Sequence, residues 1–302
     1  MLPGTPLSTE KINPSPFPSN APNNGLALAL SSSYFGFYTH AGFLAELAAQ
    51  GVVPGAVSGS SAGGLVAGLH AGGLSPEEIL PLLTDLDLLR TFHDWALPIR
   101  ATKLLFNRPG TTGAILPARA VRQLRTILQD RRIEDCHAPR LALAVTNLTR
   151  QHPELITRGP LADFILASCA LPGLFAAHTI DGQLYWDGGI AQPAPLAPWI
   201  DDPAIHTILV HFVHNHDAGK KKPQPRPLTI YAGICLIKQI VHDELHRLQA
   251  RLAREAGKNV IVLETTTPRP GFFRRQLGPD LIQLGRETVR RHSDLLQPLR
   301  QR

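Results

Sequence analysis

The sequence has 302 residues, which is enough to bury a large hydrophobic core. Hydrophobic residues make up 43% and charged residues 18%, a composition that excludes extended disorder as the main state of the chain. The net charge is +6, but the basic residues are spread along the chain without a zinc-finger spacing or an aromatic-basic RNA-binding motif. We therefore expect no nucleic-acid partner, and the positive charge leaves peripheral contact with an anionic membrane as an open alternative.

The cysteines and the apolar segments bear on localisation. Cys136, Cys169 and Cys235 are too few and too far apart for a disulfide framework, which favours a reducing compartment. Residues 1–24 lack the charged start and apolar run of a secretory signal, and no apolar stretch reaches the ~20 residues of a membrane-spanning helix. We expect a cytoplasmic protein whose membrane contact, where it occurs, is peripheral.

The predicted elements begin after a proline-rich arm, residues 1–24, that has no helical or strand periodicity. The apolar run from Gly25 to Ser31 predicts a buried strand, Phe37 to Gln50 a helix, and Val52 to Ser58 a second strand. Strand, helix and strand in this order form a βαβ unit. Such a unit predicts a parallel sheet with a site at the carboxyl ends of its strands.

Helices and strands continue to alternate along the chain. A capping box at Ser75 with a first-turn proline predicts a helix to about Leu89, and Arg90 to Pro117 is expected to be an irregular connection near the mouth of a pocket. The further expected helices are Ala62 to Ala71, Pro117 to Gln129, Ala162 to Ala170 and Leu277 to Leu299; the further strands are Arg140 to Thr149, Glu154 to Arg158, Ile205 to His214 and Asn259 to Glu264. The pattern predicts a layered α/β fold.

A basic, proline-rich segment with four positive charges, Lys220 to Pro227, precedes the apolar stretch from Leu228 to Ile240. One interpretation is a surface loop that leads into a core helix. The other is an element that docks on a membrane, because each basic residue near anionic lipid contributes roughly 1 kcal/mol.

The stretch from Val57 to Gly64 joins the second strand to the following helix and reads V-S-G-S-S-A-G-G. It has the pattern of a nucleophile elbow with Ser61 as the nucleophile, and Gly59 and Gly63 leave room for strand and helix to approach closely. The helix starts at this serine, so its unpaired N–H groups and positive dipole end face any oxyanion that forms there. The pattern indicates acyl transfer.

Asp187 is the candidate base. It lies between the aromatic pair Tyr185-Trp186 and the glycines Gly188 and Gly189, which places an acid on a tight turn with room for a neighbouring loop. The alternative is an aspartate that only caps this turn.

Together these stretches resemble the patatin-like phospholipase family, whose members share a G-x-S-x-G elbow and a downstream D-G-[GA] motif. The similarity includes the segment from Ala167 to Phe175 and the D-G-x-x-Y-x-D-G-G spacing that ends at Gly189, and it covers roughly residues 25–200. It implies a three-layer α/β/α fold with a mainly parallel central sheet and a nucleophile elbow. It also implies that Ser61 and Asp187 form a Ser-Asp dyad acting on a lipid or ester substrate without a catalytic histidine, a metal or another cofactor.

The loop after the first strand departs from the family, which usually has a run of glycines and then a basic residue there. This chain reads S-S-S-Y-F-G from Ser31, so that only Gly36 is kept. We expect the backbone N–H groups near Ser33, Tyr34 and Ala62 to hold the oxyanion. The oxyanion hole is expected to be built differently or to be weaker, because a positive φ is less favourable for serine than for glycine.

The expected organisation is a flexible arm (1–24), a patatin-like catalytic domain (25–265) and a basic helical extension (266–302), with the oligomeric state left open. One alternative function is a non-catalytic lipid-binding protein with this fold. Another is a Ser-His-Asp esterase, because four histidines follow Asp187 in the chain: His206, His211, His214 and His216. Metal binding by the stretch from His211 to His216 is a weaker alternative, since no Cys or acidic residue stands beside its histidines at ligand spacing. His40 is expected to pack against or cap the first helix.

Overall fold

A computed structural model describes residues 25–84, 96–216, 230–268 and 277–300. The predicted N-terminal arm, the segment from Lys220 to Pro227 and the predicted end of the third helix lie outside these residues.

A mainly parallel sheet forms the centre of the described structure. Five strands pair in parallel in the order β10 (Asn259–Pro268), β9 (Thr207–His216), β1 (Leu26–Leu30), β2 (Ala56–Ser60) and β4 (Arg140–Asn147). Beyond β4 the pairing becomes antiparallel with β5 (His152–Ile156), β8 (Gln183–Asp187) and β7 (His178–Ile180). A separate parallel pair consists of β3 (Gly113–Ile115) and β6 (Gly173–Phe175).

Ten helices accompany these strands within the described ranges: α1 (Phe37–Ala49), α2 (Ala62–Ala71), α3 (Pro76–Thr84), α4 (Leu97–Leu105), α5 (Ala118–Ile127), α6 (Leu161–Ser168), α7 (Ala197–Ile200), α8 (Ile230–Glu255), α9 (Gly278–Arg291) and α10 (Ser293–Leu296). Short 3-10 turns occur at Ile133–Asp135, Gly188–Ile190 and Gln297–Leu299. None of these helices is both long and apolar enough to cross a bilayer.

Strand β1 separates two hydrophobic cores because successive side chains of a strand point to opposite faces of the sheet. Its leucines lie in a core shared with α1, α2, α6 and α9, whereas Ala27 and Ala29 lie in a second core with Trp199 of α7 and Ala250 of α8. Helices therefore cover both faces of the sheet. The predicted three-layer α/β/α architecture with a mainly parallel sheet is confirmed.

Most predicted elements agree with the structure to within a few residues, and the differences have physical reasons. The connection expected to be irregular contains α4 and β3; α4 buries none of its residues, so its sequence lacks the apolar periodicity of a core-facing helix. The second strand starts at Ala56, four residues later than expected. The stretch after residue 228 begins α8, but Ile237 and Ile240 are exposed, so this end of α8 is not a core helix.

Helices α1 and α9 cross in direct backbone contact. A Cβ atom on Gly42 would lie 2.1 Å from the carbonyl oxygen of Ile282, and one on Gly285 would lie 2.1 Å from that of Thr39. Glu46 of α1 adds an ion pair with Arg290 of α9 at 2.9 Å. Strand β10 runs through residue 265, where the catalytic domain was expected to end, and the division of the chain after that residue stays a prediction.

We expect Gly285→Ala to lower the free energy of unfolding by about 2 kcal/mol or more, because the added methyl group overlaps the backbone of α1 and the helices must separate. Urea denaturation followed by circular dichroism measures this change. The control is Ala49→Leu, which adds a larger group at an exposed position of α1. Equal stability of Gly285→Ala and the native chain would show that the two helices are not in tight contact.

Candidate active site

Ser61 occupies the turn between β2 and α2 and has a φ of 53° and a ψ of −120°. A positive φ is unusual for a residue with a side chain, so the surroundings must hold this backbone in place. A Cβ atom on Gly59 would lie 2.4 Å from the carbonyl oxygen of Gly63, and one on Gly63 would lie 2.3 Å from that of Leu30. Both positions therefore exclude any side chain, and the turn depends on both glycines.

The register of β4 brings Asp187 to Ser61. Ser60 pairs with Ala144, and Asp187 pairs with the next residue of β4, Val145. The end of β8 thus meets the residues of β4 directly beyond those that pair with β2. This pairing requires Gly188, on which a Cβ atom would lie 2.1 Å from the carbonyl oxygen of Ala144.

The Ser61 hydroxyl donates a hydrogen bond to Oδ2 of Asp187 at 2.6 Å. The other carboxylate oxygen, Oδ1, accepts a hydrogen bond from the backbone N–H of Gly189 at 2.7 Å. Asp187 is only 3% exposed, and its own backbone is held by Ala170 and by the Thr146 hydroxyl. The carboxylate is therefore fixed in one orientation, with one oxygen on the serine.

Two consecutive residues at the end of α6 hold the backbone of Ser61. Its N–H donates to the Ser168 hydroxyl at 3.0 Å, and its carbonyl oxygen accepts a hydrogen bond from the Cys169 thiol at 3.1 Å. Burial raises the pKa of Cys169, which keeps the thiol protonated and able to donate. Sequence reasoning assigned no role to these two side chains, although both lie in the segment from Ala167 to Phe175 that resembles the family.

The loop after β1 lies beside this pair. Ser33, Tyr34 and Ala62 line the same cleft as Ser61 and Asp187. The backbone N–H of Ser32 is already used, because it donates to the carbonyl oxygen of Pro193 at 2.6 Å. Ser33 and Tyr34 stay the predicted oxyanion donors of this loop, together with Ala62 in the first turn of α2.

The positive φ of this loop falls on Phe35, at 54°, and on none of its serines. Gly36 has an ordinary negative φ of −71° and is required for another reason: a Cβ atom there would lie 1.7 Å from the Ser33 hydroxyl oxygen. Gly189 similarly approaches Ser32, where a Cβ atom would lie 2.4 Å from the serine Cβ. The loop is thus packed tightly on the turn that follows Asp187.

A buried pair of histidines supports the start of this loop. His40 Nε2 lies 2.8 Å from the carbonyl oxygen of Ser31, and His40 Nδ1 lies 2.9 Å from His211 Nδ1. Burial lowers the pKa of His40 to about 4 and that of His211 well below its usual value, so both rings are neutral near pH 7. Because a carbonyl oxygen only accepts, His40 donates from Nε2 and accepts from His211 at Nδ1.

The second nitrogen of His211 extends this network into the last third of the chain. His211 Nε2 lies 2.9 Å from the Thr265 hydroxyl of β10, which lies 2.6 Å from the Thr288 hydroxyl of α9. The His211 ring also stacks on Phe43 with an interplanar angle of 9°. Both ring nitrogens of His211 therefore have structural partners, which argues against His211 as the catalytic base.

The other candidate histidines have different surroundings. His206 lies against Gly25, and His214 lies 3.4 Å from Glu264 and 4.0 Å from Asp243, while the side chain of His216 is outside the described set. Within the described residues, no three His, Cys, Asp or Glu side chains gather as a metal-binding group. The serine hydroxyl contacts the carboxylate directly, with no histidine interposed.

A cleft of about 270 Å³ contains Ser61 and Asp187. Part of its lining is apolar and includes Leu65, Leu83, Leu124, Leu166, Leu174 and Phe175. The rest includes polar side chains of β9 and α8, among them His214, Asn215 and Asp243. Ser61 and Asp187 thus lie in a cleft that has an apolar part and a polar part.

The sequence profile described as Patatin-like phospholipase matches residues 28–200, which is more than half of the chain. The chain belongs to the patatin-like phospholipase family, as the resemblance of residues 25–200 indicated.

Relatives from Mycobacterium bovis and Mycobacterium tuberculosis, both described as uncharacterized NTE family proteins, are 33% identical to this chain over 197 residues. The alignment covers 64% of this chain and 50% of each relative, so the chain spans about half the length of the curated relatives it matches.

Two solved structures are also similar. VipD from Legionella pneumophila has a TM-score of 0.48 and 14% identity, with 89% of this chain and 67% of that chain covered. The type III effector protein ExoU has a TM-score of 0.40 and 16% identity, with 93% and 54% covered.

The buried histidines predict that stability falls in mild acid. The pKa of His246, which stacks on the cleft residue Phe212, is lowered to about 4 by burial and by neighbouring cations. Between the unfolded pKa of about 6.5 and this value only the unfolded chain takes up the proton, so the folded state loses stability as the pH falls through this window. The expected loss is about 2 kcal/mol for such a histidine between about pH 7 and pH 5.

Urea denaturation at both pH values, on the native chain and on His246→Phe, checks this prediction. The variant keeps an aromatic ring at the stack and is expected to lose about 2 kcal/mol less on acidification. Replacement of the exposed His152 by Asn is the control and should leave the difference between the two pH values unchanged. An unchanged difference in His246→Phe would contradict the prediction.

Proposed function

We propose that the chain is a lipid acyl hydrolase, of phospholipase A or lysophospholipase type, that cleaves carboxylic esters through a Ser61-Asp187 dyad and an acyl-enzyme. The observation that carries this proposal is the 2.6 Å hydrogen bond from the Ser61 hydroxyl to the buried Asp187 carboxylate, at the start of α2 and inside a cleft with an apolar part. Membership of the patatin-like phospholipase family supports the same class of reaction.

In the first half of the reaction, the Ser61 oxygen attacks the ester carbonyl carbon while its proton passes to Oδ2 of Asp187. Negative charge develops on the former carbonyl oxygen. The backbone N–H of Ala62 and those of Ser33 and Tyr34 hold this oxyanion, and the positive end of the α2 dipole adds to the stabilisation. The carbon–oxygen bond to the alcohol then breaks, and Asp187 returns the proton to the departing alcohol.

In the second half, Asp187 takes a proton from a water molecule as this water attacks the acyl carbon. The bond between the Ser61 oxygen and the acyl carbon breaks, the serine regains its proton from Asp187, and a fatty acid leaves. The leucines of the cleft and Phe175 would bind the acyl chain, since burying each CH₂ group contributes about 0.8 kcal/mol.

The setting proposed for this reaction is the surface of an anionic membrane in a reducing compartment such as the cytoplasm. The positive net charge and the sparse cysteines support it. Because the chain spans about half of its curated relatives, no activity of the longer proteins is carried over to it.

A non-catalytic lipid-binding protein is the second candidate function. The glycine-poor loop after β1 favours it, because the Ser32 N–H is bonded to Pro193 and the loop turns at a strained Phe35. Loss of one oxyanion donor lowers a rate by roughly 100 to 1,000-fold, so a weak oxyanion hole would leave binding as the main property.

We expect Ser61→Ala and Asp187→Asn each to lower kcat/KM for p-nitrophenyl esters by about 1,000-fold or more, because one removes the nucleophile and the other the base. Ester hydrolysis is followed for short and long acyl chains, and thermal unfolding checks that each variant is folded. Asp181→Asn, which changes a carboxylate on an exposed turn, is the matched control and should stay active.

Two results would overturn the dyad. Activity retained in Asp187→Asn but lost in His214→Ala would favour a Ser-His-Asp triad. No turnover by the folded native chain, together with no labelling of Ser61 by a fluorophosphonate probe, would favour the lipid-binding protein.

A further inference from the structure

The segment between residues 96 and 129 carries positive charge without any negative charge. It contains no Asp or Glu and six basic residues: Arg100, Lys103, Arg108, Arg119, Arg122 and Arg125. Arg125 is engaged by the buried Asp163 at 2.9 Å, whereas Lys103, Arg108 and Arg122 are exposed. This segment, which contains α4, β3 and α5, thus has six basic residues with no acidic residue to offset them.

The same segment presents large apolar side chains to solvent. None of the residues of α4 is buried, and Ile99, Leu105 and Phe106 are 51%, 81% and 68% exposed. Ile99 and Phe106 are seven residues apart, which places them on the same side of a helix two turns apart. Two adjacent bulky residues exposed to this extent at one helix end are unusual for a surface that only water contacts.

A side-chain hydrogen bond and a strand pairing connect this surface to the wall of the cleft. Arg100 of α4 donates from Nε to the carbonyl oxygen of Ala114 in β3 at 2.6 Å. β3 in turn pairs with β6, with Ile115 opposite Phe175. Phe175 and its neighbour Leu174 line the cleft that contains Ser61. The exposed apolar residues of α4 are therefore connected through β3 to β6, which forms part of the apolar cleft wall.

We propose that this surface, which we define by Ile99, Lys103, Leu105, Phe106 and Arg108, docks the protein on an anionic phospholipid bilayer. The apolar side chains would enter the boundary between headgroups and acyl chains, and the two cations would lie among the lipid phosphates. A second copy of the chain fits this surface poorly, because two surfaces that carry only positive charge repel each other.

This docking rests on the proposed function for its purpose. With α4 in the bilayer, β3 and β6 bring the apolar part of the cleft towards the lipid. An acyl chain could then reach the cleft by a path that keeps it away from bulk water.

Sedimentation of the full-length chain with vesicles tests the proposal. The vesicles are phosphatidylcholine alone and an equal mixture with phosphatidylglycerol. We expect L105S/F106S to bind both vesicles at least about 10-fold more weakly than the native chain, because it loses apolar insertion. K103E/R108E is expected to bind more weakly to the mixed vesicles only. The loss of each positive charge lowers the affinity about fivefold, and the negative charge that replaces it lowers the affinity further.

The matched control is L248S/L252S, which replaces two exposed leucines of α8. This variant should bind as the native chain does. Native-like binding by L105S/F106S and K103E/R108E overturns the proposal, and loss of binding only in L248S/L252S assigns the docking to α8 instead.

Soluble-ester hydrolysis separates the docking surface from the dyad. L105S/F106S should hydrolyse p-nitrophenyl butyrate like the native chain, because it alters no residue of the cleft, and Ser61→Ala should bind vesicles like the native chain. Vesicle binding that depends on α4 in a chain without esterase activity contradicts only the proposed function. Esterase activity in a native chain that binds neither vesicle contradicts only the docking.

Discussion

The contact between the Ser61 hydroxyl and the Asp187 carboxylate depends on one strand register. β4 pairs with β2 through Ala144 and with β8 through the next residue, Val145, so that the residue before Ser61 and the carboxylate residue meet adjacent positions of the same strand. A shift of one residue in either pairing would place the Ser61 turn and the Asp187 carboxylate on opposite faces of the sheet. The close approaches at Gly59, Gly63 and Gly188 oppose such a shift, because each leaves no space for a Cβ atom.

The last third of the chain, which lies outside the family match, takes part in the same construction. Thr288 of α9 and Thr265 of β10 connect through His211 and His40 to the carbonyl oxygen of Ser31, where the loop beside Ser61 and Asp187 begins. Neutral histidines suit this place, because each neutral ring has one donor and one acceptor nitrogen and can continue a hydrogen-bonded chain without a buried charge. Elements that the family profile does not cover therefore stabilise the loop.

The polar and apolar surfaces of the molecule are divided in a way that fits a lipid substrate. The cleft combines leucine and phenylalanine side chains with a polar part contributed by β9 and α8. Outside the cleft, the segment that carries β3 also carries exposed apolar residues and positive charge without negative charge. The boundary between the headgroups and the acyl chains of an anionic bilayer is complementary to this surface, because it places negative charge next to hydrocarbon.

Local sequence patterns determined the fold class, the first βαβ unit and the two stretches that contain Ser61 and Asp187, because the periodicity of apolar residues and the position of glycines are encoded within a few neighbouring residues. Helix α4 could not be recognised in this way, since it has no buried face to produce a periodicity. The distance between Ser61 and Asp187, 126 residues apart, and the pairing of His40 with His211, 171 residues apart, arise only when the sheet has formed. The hydrogen bonds that the Ser61 backbone donates to Ser168 and accepts from Cys169 arise in the same way. Only the tertiary structure decided these contacts, because strand register and burial are collective properties of the packed chain.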